Sequence, residues 1–153
     1  MREKLYICGF QNLHIDVIIP VVSCDRGLYK CLTSLESIAN IIKSVIIINQ
    51  TGFSLSISQG YNVKIINVDK LSASSARNRG AEEATADYLF FIDDDAYVAN
   101  VAMSNLIRKL KDNVDIIAPR RWDIQLKTNK KPSIYTIPKF FIEWNIIIKK
   151  ELF

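Results

Sequence analysis

Short apolar runs alternate with polar or amphipathic stretches along most of this chain. Asp16 to Val22 (DVIIPVV), Ser44 to Asn49 (SVIIIN) and Tyr88 to Ile92 (YLFFI) are brief, rich in β-branched or aromatic residues, and bounded by polar positions. Each reads as a strand buried on both faces of a sheet. Asn62 to Val68 (NVKIINV) alternates less cleanly and predicts a further strand, third in chain order. Between the first two strands, Leu28, Cys31, Leu32, Leu35, Ile38, Ala39 and Ile42 recur at helical spacing, with Lys30, Thr33 and Glu36 off that face. Ser72 to Ala84 is a polar helix with Ser72 as its N-cap. Gly80 inside it costs about 1 kcal/mol relative to Ala, which predicts close packing or the approach of a backbone or ligand. Ser54 to Gly60 fits either a short helix or a loop.

After Tyr88–Ile92, the positions Met103, Leu106, Ile107 and Leu110 mark one face of a helix from Asn100 to about Lys111. Asp115 to Pro119 predicts a fifth strand. Beyond Pro119 the pattern degrades: short extended pieces are expected at Ile124–Thr128 and Ser133–Ile137, a last strand at Glu143–Lys149, and the start of a helix at Phe153. The order β-α-β-(α)-β-α-β-α-β predicts an α/β, Rossmann-like fold with a mostly parallel sheet flanked by helices and right-handed crossovers. One domain over residues 1–153 is expected, incomplete after about residue 150 because the pattern halts at the entrance to an element.

The 153 residues suffice for one hydrophobic core. No apolar segment approaches the roughly 18–20 residues that span a bilayer. The N-terminus lacks a signal-peptide core, so a cytoplasmic location is the default expectation. Cys8, Cys24 and Cys31 are odd in number, lack zinc-ligand spacing, and have His14 as the sole histidine for company; they read as reduced, mostly buried thiols. Charge changes the picture in one place. Residues 1–118 hold 12 basic and 13 acidic side chains, whereas residues 119–153 hold 8 and 3. Arg120, Arg121, Lys127, Lys130 and Lys131 dominate this tail, which suits a phosphate-bearing substrate, a lipid head group at the inner face of a membrane, or simply a solvated surface. No nucleic-acid motif accompanies it, and no nucleic-acid partner is expected.

The candidate chemistry follows the fourth strand. Asp93, Asp94 and Asp95 stand at its carboxyl end, the edge where open α/β sheets bind ligands. Adjacent carboxylates repel by roughly 1 kcal/mol per pair at about 4 Å in water, and by more where solvent is excluded. A magnesium or manganese ion would relieve this repulsion, binding one or two carboxylates and completing its shell with water and substrate phosphate. The triplet by itself also fits a solvated acidic turn. The chain has no G-x-G-x-x-G and no G-K-[ST], so phosphate binding would fall to a metal and to basic side chains.

Four motifs in order carry a resemblance. They are Ile18-Ile19-Pro20 at a strand end, Leu28-x-x-Cys31-Leu32-x-Ser34-Leu35, Ala76-Arg77-Asn78-x-Gly80, and the apolar strand that ends in Asp93-x-Asp95. Together they resemble the N-terminal, nucleotide-sugar-binding part of a family 2 glycosyltransferase of GT-A fold, over about Asp16 to Phe153. The resemblance implies transfer of a sugar from a nucleotide-diphosphate donor, often UDP-linked, to a saccharide or lipid-linked acceptor, with inversion, in cell-envelope polysaccharide synthesis. It implies a manganese or magnesium ion held by Asp93 and Asp95, with Asp95 the principal ligand, and a nucleotide-sugar site formed by Pro20, Val22, Ser23, Asp25, Asn49, Thr51, Arg77, Asp93 and Asp94. Arg77 would lie near the phosphates or pair with Asp93.

The sequence departs from the family pattern in two places. Asn49, then Gln50-Thr51, stands where relatives carry an acidic residue that grips base or ribose, and Ser23 stands where many have Asn. Inverting members also use a later carboxylate base; Asp123, Glu143 and Glu151 are the late candidates here and none matches the motif, so the catalytic base is unassigned. Two other readings compete: a truncated, non-catalytic nucleotide- and metal-binding module of the same fold, and a signalling receiver domain. A receiver places its acidic pair after the first strand, which here ends in Pro20.

Overall fold

The computed structural model describes residues 14–98, 108, 110, 112–117, 146–153 and, as backbone alone, 121–123 and 128–130. Strand β1 (Ile15–Val21) leads into helix α1 (Arg26–Leu35), a 3₁₀ turn (Glu36–Ile38) and β2 (Ile42–Asn49). β3 (Val63–Asn67), α2 (Ala73–Glu83) and β4 (Tyr88–Phe91) follow, and then β5 (Ile116–Ile117), β6 (Arg121–Asp123), β7 (Thr128–Lys130), β8 (Ile146–Lys149) and a closing 3₁₀ turn (Lys150–Leu152). The main sheet has the order β3-β2-β1-β4-β8-β5, and β6 pairs with β7 separately.

β3, β2, β1 and β4 are mutually parallel, as the alternation of strands and helices requires. The fifth predicted strand is not the fourth's neighbour. β8 lies between β4 and β5 and is antiparallel to both, with Phe91 opposite Ile146 and Ile117 opposite Ile147. The sheet is thus mostly parallel, as expected, with β8 its antiparallel strand.

Period-two alternation divides the core into two layers. Val17, Ile19, Val45, Ile47, Phe90 and Ile147 face α1 and its Leu28, Cys31, Leu32 and Leu35. Ile18, Ile46, Ile48, Leu89 and Phe91 face α2 through Ala76 and Ala81. Small residues let α2 lie close to the sheet. A Cβ built on Gly80 would stand 2.4 Å from Ile18 Cγ2, so the helix–strand contact itself demands glycine. Of the alternatives read from the sequence, close packing is the one realised.

The first helix is shorter than its apolar spacing suggests. Ile38 and Ile42 are buried beyond its end, because a tightened turn (Ala39 N–H to Glu36 O, Ile41 N–H to Ile38 O) keeps them on the core side while the chain reverses into β2. Residues 54–60 form neither helix nor strand. That segment is pinned to the core through Leu55, Ile57 and Tyr61, whose hydroxyl donates to Leu32 O at 2.7 Å. Ser72 caps α2 as predicted, accepting from Ser75 N–H at 3.1 Å.

At the amino edge of the sheet, Asp16 is fully buried. Ser44 Oγ donates to its Oδ1 at 2.6 Å, and Thr85 and Ala86 N–H donate to its Oδ2 at 2.5 and 2.8 Å. This carboxylate ties β1, β2 and the approach to β4 together at the end away from the aspartate triplet.

The predicted helix over 100–111 lies mostly outside the described residues, although Arg108 and Leu110 are helical and Leu110 is buried. Residues 124–127, 133–137 and 143–145 also lie outside them; what is described there starts strands at Arg121, Thr128 and Ile146. Cys8, Arg120, Lys127, Lys131 and Glu143 are likewise outside. Cys31 is buried as expected, but Cys24 is exposed on the loop after β1, which corrects its reading as a buried thiol. No helix among the described residues is long and apolar enough to cross a membrane.

Candidate functional site

Three loops meet at the carboxyl edge of the parallel strands: residues 22–25 after β1, 50–53 after β2 and 92–98 after β4. Ile92 N–H still bonds to Ile18 O at 3.2 Å, so β4 delivers the aspartates where β1 ends. A turn closed by Ala96 N–H to Asp93 O at 3.1 Å then presents the triplet. The far side of this loop is fastened to α1, where Val98 N–H donates to Ser34 Oγ at 3.0 Å.

The start of α1 faces the same loop. Asp25 caps it, with Oδ1 accepting from Gly27 N–H at 2.7 Å, and Ser23 Oγ donates to Oδ2 of the same carboxylate at 3.3 Å. A Cβ on Gly27 would lie 2.8 Å from Oδ1 of its own cap Asp25, 3.1 Å from Asp95 Cα and 3.2 Å from Asp94 O. The acidic loop therefore packs backbone to backbone on the helix N-terminus, where the partial positive charge of the helix favours anions. Sequence reasoning passed over Gly27, whose requirement comes in part from a distant loop.

The three aspartates have different surroundings. Asp93 Oδ1 accepts from Arg77 Nη2 at 2.8 Å, and the Arg77 side chain is mostly buried. Of the two roles offered for Arg77, the pairing with Asp93 is present here, and it leaves a place near the phosphates open. Asp94 turns inward and accepts from the Val22 backbone, while its Oδ2 is buried without a partner among the described residues. Its pKa is pushed up to about 6, first by burial and then by the charges of Asp95 and Asp25. Asp95 is exposed. The field of the triplet reaches into the core, where burial first, and then Asp94, Asp93 and Asp95, hold the Cys31 thiol up at about 12.

The loop after β2 is built on Asn49, only 2% exposed. Its Nδ2 donates to Phe53 O and to Asn67 Oδ1, both at 2.7 Å, and its Oδ1 accepts from Thr51 N–H at 3.1 Å and Thr51 Oγ1 at 2.7 Å. Both N–H donors and both acceptor positions are used, so Asn49 and Thr51 shape the loop through their own bonds. Gly52 completes the turn at φ 75°, a conformation that favours glycine. Pro20 is half-buried in β1 opposite Ile48, and Val22 is 66% exposed at the mouth of the edge. Pro20, Val22, Ser23, Asp25, Arg77 and the aspartates thus gather at one edge. Asn49 and Thr51 reach it by fixing the neighbouring loop.

Among the described residues no three His, Cys, Asp or Glu side chains are placed to close around an ion. The donor set fits an open site instead: exposed Asp95 and half-buried Asp93 offer carboxylate oxygens suited to magnesium or manganese, with water and phosphate completing the shell. Glu151, one of the late carboxylates, stands at the opposite edge, since Lys149 faces Tyr88 and Lys150 N–H bonds to Asp87 O at 2.8 Å.

Residues 16–153 match the family described as Glycosyl transferase family 2. YibD of Escherichia coli (strain K12), described as an uncharacterized glycosyltransferase, is 31% identical over 110 residues, covering 67% of this chain and 32% of that protein. The S. aureus TarS 1–349 crystal structure superposes with a TM-score of 0.70 at 13% identity, over 91% of this chain and 48% of that one. The TarS 1–349 complex with UDP-GlcNAc superposes at 0.69 with 14% identity, over 91% of this chain and 46% of that one. A complex of the same protein with UDP gives 0.68 at 13% identity, over 91% and 47%. This likeness carries the fold, and the GT-A architecture expected from the sequence is the one observed. The chain spans about a third of the YibD length and about half of the TarS 1–349 length.

Proposed function

The chain belongs to glycosyl transferase family 2, and from that premise we propose that it binds a nucleoside-diphosphate sugar, UDP-linked, at the carboxyl edge of its sheet. The proposed reaction is transfer of the sugar to a hydroxyl of a saccharide or lipid-linked acceptor, with inversion and with the help of a divalent cation. One observation supports this most: a loop of three carboxylates is packed backbone-first on α1, with one oxygen of Asp94 buried and unpartnered. A structural turn has no need of such an arrangement, whereas a site awaiting cationic charge does. The TarS complexes with UDP and with UDP-GlcNAc support the choice of nucleotide.

In this reading Asp95 is the principal ligand of a manganese or magnesium ion and Asp93 the second. Bound there, the ion would supply Lewis-acid stabilisation to the departing nucleoside diphosphate. The protein's own groups do the positioning. Arg77 holds Asp93 in one orientation, and Gly27 seats the acidic loop on α1. Pro20, Val22, Ser23 and Asp25 form one wall for the nucleoside, and the loop organised by Asn49 and Thr51 forms the other. The acceptor's general base is unassigned, and Glu151 at the opposite edge does not supply it.

Calorimetry of the chain with UDP, with and without manganese, tests the reading. Affinity that rises with manganese and loses that rise in Asp95→Ala supports it; absence of nucleoside-diphosphate binding, or binding indifferent to both changes, overturns it. The placement of Glu151 favours a second reading, nucleotide binding without turnover by this chain alone. A sugar-release assay separates the two, and robust manganese-dependent transfer would end the second.

A further inference from the structure

In the motif Leu28-x-x-Cys31-Leu32-x-Ser34-Leu35 on α1, the leucines and Cys31 are buried in the core. Ser34 is polar and only partly buried. Its Oγ donates its proton to Cys31 O at 2.6 Å, the carbonyl three residues back in the helix. The lone pairs of Oγ are left to accept, and Val98 N–H donates to them at 3.0 Å. That bond joins residues 64 apart in sequence, so it belongs to the tertiary structure and not to the helix.

The acidic loop hangs between two anchors. Ile92 N–H, bonded to Ile18 O at 3.2 Å, fixes its upstream end, and Val98 N–H on Ser34 fixes its downstream end. Between them the Asp94–Asp95 backbone rests on Gly27. Gly27 and Ser34 are about two helical turns apart, so both meet the loop from one side of α1. Cys31 lies between them on that side, and the charges of all three aspartates act on its thiol. The aspartates depend on this support unequally. Asp93 is held by Arg77, and Asp94 by the Val22 backbone. Asp95 is exposed, and among the described residues its carboxylate accepts no hydrogen bond. Its direction is therefore set by the backbone that carries it, the stretch between Ile92 and Val98.

We propose that Ser34 is the positioning residue for Asp95. By anchoring Val98 to α1 it holds the downstream half of the acidic loop, so that the Asp95 carboxylate meets a divalent cation already ordered. This rests on the nucleotide-sugar and cation reading above. In this role Ser34 acts through Val98 and not on the cation itself. The bond at stake is one neutral hydrogen bond, whose loss corresponds to roughly a two- to tenfold change in an equilibrium constant.

The test is calorimetry of the full chain with UDP, with and without manganese, for the native protein, Ser34→Ala, Ser34→Thr, Asp95→Ala and the Ser34→Ala, Asp95→Ala double variant. Ser34→Ala is expected to lower UDP affinity in manganese by about three- to tenfold and to leave the manganese-free affinity within about twofold. Threonine keeps the hydroxyl and can bond back along a helix in the same way, so Ser34→Thr should restore the native manganese dependence. On the Asp95→Ala background, Ser34→Ala should have no further effect on UDP affinity, because the carboxylate it positions is gone. A serine that serves stability alone would lower affinity equally with and without manganese, and by the same factor on both backgrounds. Either result overturns the proposal, as does native manganese dependence in a folded Ser34→Ala or its loss in a folded Ser34→Thr. Hydrogen exchange of the native protein decides the matter if the alanine variant does not fold: the Val98 amide should be protected, and exchange at the rate of an open chain overturns the proposal. Absence of manganese-dependent UDP binding by the native chain removes the cation reading and this proposal together, whereas failure of the Ser34 variants alone leaves that reading standing.

Discussion

The two edges of the parallel sheet hold the same kind of group in opposite conditions. At the amino edge, Asp16 is fully buried yet accepts three hydrogen bonds, from Ser44, Thr85 and Ala86. At the carboxyl edge, Asp94 is less buried, yet one of its oxygens has no partner and two further aspartates adjoin it. The first arrangement is complete without anything else and serves stability. The second leaves an acceptor unsatisfied, which the proposed reading assigns to a cation. Burial by itself does not separate a structural carboxylate from a functional one; the state of its hydrogen bonds does.

Four substitutions test that contrast, in decreasing order of effect on stability. Asp16→Ala strands the buried Ala86 N–H, the part-buried Thr85 N–H and the Ser44 hydroxyl, and is expected to destabilise the fold by about 3 kcal/mol in urea denaturation. A loss below about 1 kcal/mol would mean the amino edge is not the closed network described. Gly27→Ala places a methyl against Asp95 Cα and Asp94 O. It should cost about 2 kcal/mol, the usual scale of overpacking, and lower UDP affinity as the acidic loop is displaced. Full UDP affinity in this variant would dissociate that packing from the site.

Asp94→Asn should act in the opposite direction. The folded pKa of Asp94 is raised to about 6, so the folded state holds this proton more tightly than the unfolded chain does. Its contribution to stability is present below the unfolded value of about 4 and is lost as pH rises through about 6. Removing the charge should therefore stabilise the protein at pH 7 by about 1 kcal/mol after allowance for solvent screening, and do little at pH 4. Thermal melts at the two pH values check this, and destabilisation at pH 7 would show that the Asp94 charge is already satisfied. Asp95→Ala should change stability least, within about 0.5 kcal/mol as for an exposed position, while removing the manganese dependence of UDP binding. Unchanged manganese dependence by calorimetry would separate the acidic loop from any metal role.

Much of the fold was legible because several constraints agreed at the same residues. In β1, β2 and β4 the runs are apolar on both faces, β-branched or aromatic, and bounded by polar turns, so position and type followed together. Ile38 and Ile42 misled because their spacing suits a helix and equally suits a chain that turns back along one buried side. β8 could be recognised as a strand but not placed, since its insertion between β4 and β5 depends on pairing Phe91 with Ile146, far apart in sequence. At the site, the triplet and Arg77 were visible from residue types in order. Gly27 was not, because part of the crowding at its Cα comes from Asp94 and Asp95 lying across it, beside its own cap Asp25. Local patterns report what a segment can form; they are silent about what another segment leaves unfinished.

The late insertion of β8 has a kinetic consequence. β4 carries the aspartates, and its second flank is closed by Ile146–Lys149, which lie far downstream of it in the chain. Until they are made the strand has one neighbour and a row of unpaired amides along its outer side. The α1 layer can form early from contacts close in sequence, while β4 gains its second flank only once Ile146–Lys149 have been made. A nascent chain stalled before Ile146 should therefore display a settled β1–β2 half and a still mobile acidic loop, detectable as unequal amide-hydrogen exchange across the same sheet.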